Sequence, residues 1–359
     1  RGVAVVVGCA TFPTWNTYPG LFAALATGNA MVVKPHDNAI LPAAITVRTL
    51  RAVLAENGID PNLVSLCVVD QPETTQRLVT RPAVKSVDFT GGNAFGQWLL
   101  THCPQAQVYA ELAGVNNVVI ESTDAYQAML ANLAFTLCLY AGQMCTTTQA
   151  LLVSAEGIDT DLGHKSYDDI CRDLAQAIDA LLAKPEVACA VLGAIGSPDT
   201  LARIAQANAG QWGRVVLESR RIVHPEFAQA EVRTPVLLTC EGADEAAFMH
   251  ERFGPISFIV RVESPAAALA LSQRIVQTCG ALTVGLYSTR PEIVQAMTEA
   301  TWEAKVALSI NLTGAVYVNQ SAAFSDYHAT GANPAANASY TDSAFVANRF
   351  RVVQRRRHV

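Results

Sequence analysis

Val3-Ala4-Val5-Val6-Val7 is an unbroken apolar run, mostly β-branched, and its reading decides the fold class. A strand buried on both faces of a parallel sheet has this pattern, whereas a half-exposed antiparallel strand would alternate apolar and polar. Ala30 to Val33 repeats the pattern and stops at Lys34-Pro35. Leu41 to Glu56 reads as a helix that Gly58 terminates. Val64 to Val69 and Val84 to Phe89 complete the series as further strands. Strands separated by helix-length segments predict βαβ units, right-handed crossovers and a doubly wound α/β sheet over residues 1–111. The chain opens on Arg1 and enters this strand at once, so its first domain is expected to be incomplete at the N-terminus.

After Glu111 the character changes. Ala125 to Tyr140 reads as a helix leading into Gly142-Gln143-Met144-Cys145, and Ala150 to Val153 as a strand. Asp168 to Leu182 is amphipathic, with Ile170, Leu174, Ile178 and Leu181 on one stripe. More α/β alternation runs to Asn319, which sets a second domain at 112–319. Ala322 to Tyr340 is rich in Ala, Ser, Asn and Gly and reads as a long loop. Phe350 to Val353, flanked by Arg349 and by Arg355 to Arg357, reads as a last strand within a C-terminal segment 320–359.

The 359 residues are 51% hydrophobic and 16% charged, with 22 Gly and 16 Pro, which excludes a disordered tail, a collagen and a disulfide-stapled miniature. A net charge of −6 without a basic stripe argues against nucleic-acid partners. No uninterrupted apolar run reaches ~18 residues, so no membrane partner is expected. The longest, Met129 to Ala141, is broken by Asn132 and Thr136 and reads as a buried core helix. Nine Cys without CxxC spacing and seven His without an HxxxH pair predict no metal site, and the cysteines read as reduced thiols of a cytoplasmic protein.

Five places carry candidate chemistry. Cys145 follows Gly142-Gln143-Met144 and precedes three threonines, so small and polar residues surround a thiol at the junction of two elements. A nucleophile there needs a base or a set of amides to favour its thiolate; a buried structural Cys is the plainer alternative. Glu111 stands between an apolar strand end and the turn Leu112-Ala113-Gly114, where a carboxylate is either salt-bridged or a general base. Phe89-Thr90-Gly91-Gly92-Asn93-Ala94-Phe95-Gly96 follows a strand and opens a helix, a turn able to offer backbone amides to a phosphate. Lys34, directly after a strand, suits a ribose hydroxyl or phosphate contact, and Glu251 precedes the sharp turn Phe253-Gly254-Pro255.

In their order along the chain these motifs resemble the aldehyde dehydrogenase superfamily. Leu25-Ala26-Thr27-Gly28-Asn29 with Val32-Val33-Lys34-Pro35 resembles its ribose-binding strand, and Gly91, Gly92 and Gly96 its pyrophosphate turn. Glu111-Leu112-Ala113-Gly114 is similar to the general-base motif and Gly142-Gln143-Met144-Cys145 to the nucleophile motif, 34 residues apart as in the family. Glu251 and Phe253 fall in the segment that resembles the nicotinamide-ribose site. The resemblance implies an aldehyde dehydrogenase-like fold: a doubly wound, Rossmann-type cofactor domain, incomplete at its start, and an α/β catalytic domain. It implies NAD or NADP as cofactor, with Lys34, Asp37, Gly91, Gly92, Gly96, Leu112, Glu251 and Phe253 around it. Cys145 would form a thiohemiacetal and then a thioester, and Glu111 would activate the hydrolytic water.

Departures from the family pattern bear on three points. The family's oxyanion-hole Asn falls by register at Thr11, which is the favoured candidate, while Trp15-Asn16 matches the motif by eye five residues later and makes Asn16 the rival. Gly92 stands where many members carry a Ser, and Ala113 where a Gly is usual. Asp37 occupies the place of an acid that favours NAD over NADP. The stretches Gly8 to Asn16 and Ala323 to Pro334 resemble the phenylacetic acid degradation branch, PaaN, which implies a CoA-linked ring-cleavage semialdehyde as substrate. A CoA-acylating relative and a non-catalytic one are the alternatives. The end strand resembles the family's oligomerisation strand and implies a homo-oligomer.

Overall fold

The computed structural model describes residues 1–69, 71–323 and 328–358 and divides into two compact units, Arg1–Leu112 with Ala336–Val359, and Ala113–Ala335. The segment expected as one block from residue 320 is therefore shared: its part before Ala336 belongs to the second unit and the rest to the first.

In the first unit β1 (Val3–Val7), α1 (Tyr18–Ala26), β2 (Ala30–Lys34), α2 (Ile40–Glu56), β3 (Val64–Leu66), α3 (Pro72–Val79), β4 (Val84–Thr90), α4 (Asn93–His102) and β5 (Gln107–Glu111) alternate. The five strands are parallel in the order β3-β2-β1-β4-β5, with Val5 level with Val32 on one side and Val87 on the other. The β-branched run of β1 explains its central place. Val5 and Val7 point into one core with Val87, Phe89, Leu99 and Leu112, while Ala4 and Val6 point into the opposite core with Leu21, Met31, Val33 and Val47. Each fully buried valine contributes ~1.5–3 kcal/mol, so a strand that feeds two cores has no polar face.

Two expectations for this unit are corrected. β3 ends at Leu66 rather than Val69: Cys67 N–H still donates to Val33 O at 2.9 Å, but Val68 is already half exposed. Phe350 to Val353 forms no strand, because no neighbouring strand among the described residues pairs with it, and Val352 and Val353 are exposed. The short helix Ser343–Ala347 precedes it instead. Arg349, which flanks that stretch, is buried: its guanidinium meets both carboxylate oxygens of Asp88 on β4, at 2.8 and 2.6 Å. Asn337 ties the same segment to β5, accepting from Ala110 N–H at 2.7 Å and donating to Val108 O at 3.0 Å. The stretch Asp37–Glu56 is long and apolar enough on average to cross a bilayer, yet Ala43 and Val47 pack in the core and Arg51 donates to Pro61 O and Val64 O.

The second unit is built on a seven-stranded sheet. Its spatial order is Arg214–Leu217, Val236–Glu241, Ile256–Val262, Thr148–Ser154, Asn116–Ile120, Thr283–Tyr287 and Ala307–Ile310, parallel except for the first. The helix Tyr126–Cys138 is buried against it, as its apolar run predicts, but stops two residues before the expected Tyr140. The helix Tyr167–Leu181 turns Ile170, Leu174 and Ile178 inward and is started by a capping box between Ser166 and Asp169. The Ala322–Tyr340 loop has little regular structure outside the end of the helix Val318–Ala323, and Phe324 to Tyr327 of its motif lie outside the described residues.

Candidate active site

Strand order reverses at β1, and in open α/β sheets such a switch point marks the rim where ligands bind. The first unit carries several of the expected residues on that rim. Lys34 is the last residue of β2, only 12% exposed, with its ammonium 3.4 Å from Asp37. It is thus not the freely solvated lysine that a surface position would give. Gly91 and Gly92 join β4 to the N-terminus of α4. A side chain at Gly92 would meet open space, so the family's Ser would fit and its absence is not dictated by packing. At Gly96 a Cβ would collide with Leu112 and touch the Phe89 ring, so this glycine lets α4 pack closely on the sheet. Leu112 is buried over Gly96 and serves that packing. A nucleotide fits this rim: an ammonium at a strand end and free space before a helix N-terminus suit ribose and phosphate oxygens.

The loop after β1 separates the two oxyanion candidates. A backbone and a side-chain bond close it, Asn16 N–H donating to Phe12 O at 3.1 Å and the Thr17 hydroxyl to Pro13 O at 2.7 Å. Asn16 is buried, and its Oδ1 accepts from Cys9 Sγ at 3.2 Å. Its Nδ2 is buried without a hydrogen-bond partner among the described residues. Thr11 is half-buried, and its hydroxyl bonds the Cys9 thiol. An uncommitted buried N–H is what an oxyanion would need, and of the two candidates Asn16 carries such a group. Burial pushes the Cys9 thiol up, and the Glu111 carboxylate adds to that, so Cys9 stays protonated and donates. Glu111 ends β5, 8% exposed; its carbonyl accepts from Gly91 N–H at 3.1 Å, and it bridges to Ala336.

In the second unit Cys145 stands at the end of a turn the sequence did not disclose. Tyr140, Ala141 and Gly142 have φ of 54°, 49° and 61°, three successive left-handed residues of which two carry side chains. Such backbone is costly and persists only where surroundings over-determine it. Here Gly142 lies so close to the Gly254 carbonyl that a Cβ would collide with it, which joins the Cys145 loop to Phe253-Gly254-Pro255. Gln143 donates to Ala194 O at 3.0 Å.

Asn116 was missed by sequence reasoning and holds the loop from beneath. A register shift between Asn116 and Asn117 marks a bulge at the start of their strand. Fully buried, Asn116 donates to Cys145 O at 2.8 Å and Thr147 O at 3.0 Å, and accepts from Leu282 and Thr283 N–H at 2.9 and 3.1 Å. All four hydrogen bonds of its amide are made, so the Cys145 backbone is fixed to two strands at once. Cys145 itself is partly exposed, and Sγ lies 3.5 Å from Nε2 of His328, a second residue the motifs did not single out. The stretch Ala323 to Pro334 that contains His328 was visible, but nothing in its spacing connects the histidine to a cysteine 183 residues away. Nearby, Glu251 and Phe253 are half-buried. Their segment is anchored by Arg203 Nε on Phe253 O at 3.1 Å, Arg252 N–H on Gln149 at 2.8 Å, and the Arg252 guanidinium 4.2 Å over the Trp212 ring.

The aldehyde dehydrogenase family model matches residues 1–341. Alpha-ketoglutaric semialdehyde dehydrogenase 2 of Azospirillum brasilense is 28% identical over 270 residues, 72% of this chain and 48% of that protein. Vanillin dehydrogenase of Pseudomonas fluorescens is 27% identical over 256 residues, 69% of this chain and 49% of its own. Among solved structures, an NAD-dependent aldehyde dehydrogenase from Burkholderia multivorans superposes with a TM-score of 0.97 at 52% identity, covering 100% of this chain and 64% of the other. A 1-pyrroline-5-carboxylate dehydrogenase from Thermus with bound NAD shares the fold, with a TM-score of 0.68 at 20% identity over 89% of this chain and 60% of its own. The chain spans about half the length of the curated relatives it matches.

Proposed function

From the premise that the chain belongs to the aldehyde dehydrogenase family, we propose that the whole protein oxidises an aldehyde to a carboxylate with a nicotinamide nucleotide. The observation that carries this reading is Cys145, a partly exposed thiol beyond a left-handed turn whose carbonyl is clamped by Asn116. A nucleophile must be held still while its side chain stays reachable, and both conditions are met there. The thiolate adds to the aldehyde carbon and gives a thiohemiacetal, whose oxyanion takes hydrogen bonds from the Cys145 N–H and from Asn16 Nδ2. Nicotinamide, when bound, supplies a hydride acceptor; Lys34, Asp37, Gly91, Gly92, Glu251 and Phe253 are the residues proposed to hold the nucleotide. The thioester left on Cys145 is hydrolysed by water that Glu111 deprotonates, which returns the thiolate and releases the acid. NAD is the proposed partner, supported by the 52% identity to an NAD-dependent relative.

For substrate, the likeness of Gly8 to Asn16 and Ala323 to Pro334 to the phenylacetate branch supports an open-chain, CoA-linked semialdehyde. Nine free cysteines support a cytoplasmic protein, and the family's habit supports a homo-oligomer. The test is NAD(P)H formation by the full-length protein with simple aldehydes and CoA-linked semialdehydes, each with and without free CoA. CoA-independent reduction that prefers CoA-linked substrates is expected; a requirement for free CoA would overturn the hydrolytic reading. Cys145→Ser should abolish turnover, whereas Glu111→Gln should give a burst of NAD(P)H and then stall. Undiminished steady-state turnover in either variant would remove that residue from its role.

A further inference from the structure

We propose that His328 is the base that takes the proton of the Cys145 thiol, so that the nucleophile works as a cysteine–histidine pair; this rests on the reading of Cys145 given above. Nε2 of His328 lies 3.5 Å from Cys145 Sγ, within reach of a hydrogen bond to sulfur. The other ring nitrogen decides the roles. Nδ1 is 3.1 Å from the carbonyl oxygen of Ala322, which can only accept, so Nδ1 carries the hydrogen and a neutral ring presents its Nε2 lone pair to the thiol. Nucleophile, base and a third group that orients the base are the parts of an activated nucleophile.

The same frame holds both partners. Thr146, next to Cys145, donates its hydroxyl to Asn319 O at 2.9 Å, and Asn319 donates to Thr136 O at 3.0 Å. Asn319 belongs to the helix Val318–Ala323, which also supplies the Ala322 carbonyl. The nucleophile loop and the group that sets the imidazole tautomer are therefore fixed to one short helix. His328 is 1% exposed, and among the described residues it is the one buried histidine. Burial without such a partner would serve no packing purpose that a phenylalanine could not serve better.

In the step proposed, the S–H bond of Cys145 breaks, its electron pair stays on sulfur, and the proton forms a bond to Nε2. The thiolate then adds to the aldehyde carbon, and the carbonyl π pair moves to oxygen. Thioester hydrolysis later expels the same thiolate beside the imidazolium, so the pair is restored without a further proton acceptor. An isolated thiol with pKa ~8.5 is only a few per cent ionised at pH 7, so full ionisation raises the reactive fraction by about 30-fold.

The experiment is the rate of iodoacetamide alkylation of Cys145 in the full-length protein at pH 7, without aldehyde or nucleotide. His328→Gln is expected to slow alkylation by about 30-fold, and in His328→Ala added imidazole should restore much of the rate. The wild-type protein gives a reading that needs no histidine variant: its ultraviolet thiolate absorbance should be lost in Cys145→Ser. Alkylation of His328→Gln at the wild-type rate, failure of imidazole to rescue a folded His328→Ala, or no thiolate absorbance at pH 7 would each overturn the pair. Fast alkylation in a protein inert to every aldehyde would instead overturn the dehydrogenase reading and leave the pair standing.

Discussion

Asp88 of the first unit and Glu121 of the second are both buried carboxylates paired with an arginine, yet the two pairs are built differently. Arg349 is sealed: its side chain is fully buried against an Asp88 that is 10% exposed, it also donates to Ser86 Oγ at 3.2 Å, and its guanidinium lies 4.3 and 4.4 Å from the Tyr109 and Phe345 rings. Arg290, facing Glu121 at 2.7 Å, is 46% exposed, and Glu121 keeps two other donors, Ser122 Oγ at 2.9 Å and Ser288 Oγ at 2.6 Å. The sealed pair fastens a C-terminal segment to a strand 261 residues earlier. The open pair trims the end of a sheet whose centre is already apolar. Both pairs join residues remote in sequence; the charge is buried completely where a segment in no strand must be held, and left half in water where the pairing of Ile120 with Tyr287 already holds the partners together.

Arg349→Met is therefore expected to have the largest effect on stability, a loss of about 3–5 kcal/mol in urea denaturation, since it strands the Asp88 carboxylate in the core. Gly20 leaves no room for Asp88 to turn away, because even a methyl group there would collide with the carboxylate. Pairing Arg349→Met with Asp88→Leu should recover most of the loss. A double variant as unstable as the sum of the singles would mean that the arginine acts through its ring contacts rather than its charge.

Asn116→Ala comes next. It removes four hydrogen bonds and leaves buried carbonyls and amides unsatisfied, at about 1–3 kcal/mol. Because the Cys145 carbonyl is one of them, kcat should also fall by up to about 10²-fold through misplacement of the nucleophile. A stability loss without a fall in kcat would show that the clamp serves the sheet alone.

The second unit should also yield first to alkali. Burial pushes the Cys171 thiol up from 9.0 to about 11 and the Cys240 thiol to about 12, and drives that of Cys138 well above its usual range. An unfolded chain loses these protons near pH 9 while the folded one keeps them, so stability falls as pH rises from about 9 to 11. Below pH 9 both states hold the protons and the effect vanishes. Arg349, whose pKa Asp88 raises against the cost of burial, stays charged throughout. Thermal melts between pH 8 and 11 should show the decline, and Cys171→Ala should blunt it.

What the sequence disclosed follows the range of its physics. β1 was readable to the residue because β-branched periodicity is local, and the alternation of elements gave the doubly wound sheet. Lys34 and the Gly91-Gly92 turn were legible because each sits at a strand or helix end that local pattern marks. Asn116 and His328 were not, since a lone buried polar residue takes its meaning from partners 29 and 183 positions away. The turn at Tyr140 was hidden because two of its left-handed residues have no preference for that backbone. Arg349 went unmarked for a related reason: it is one of five arginines near the chain's end, and only the long-range Asp88 contact singles it out.

Arg290→Met sharpens the opening contrast through the smallest effect, a loss within about 1 kcal/mol. Half of this arginine is already in water, so its removal exchanges an ion pair for solvent at Glu121 Oε1, while Ser122 and Ser288 continue to hold Oε2. Ser288→Ala should cost as much or more, because it withdraws a buried donor that also caps Arg290 N–H at 3.1 Å. If Arg290→Met destabilised the protein as strongly as Arg349→Met, exposure would not be what separates the two pairs. The distinction would then lie in the carboxylates, both of which are nine-tenths buried.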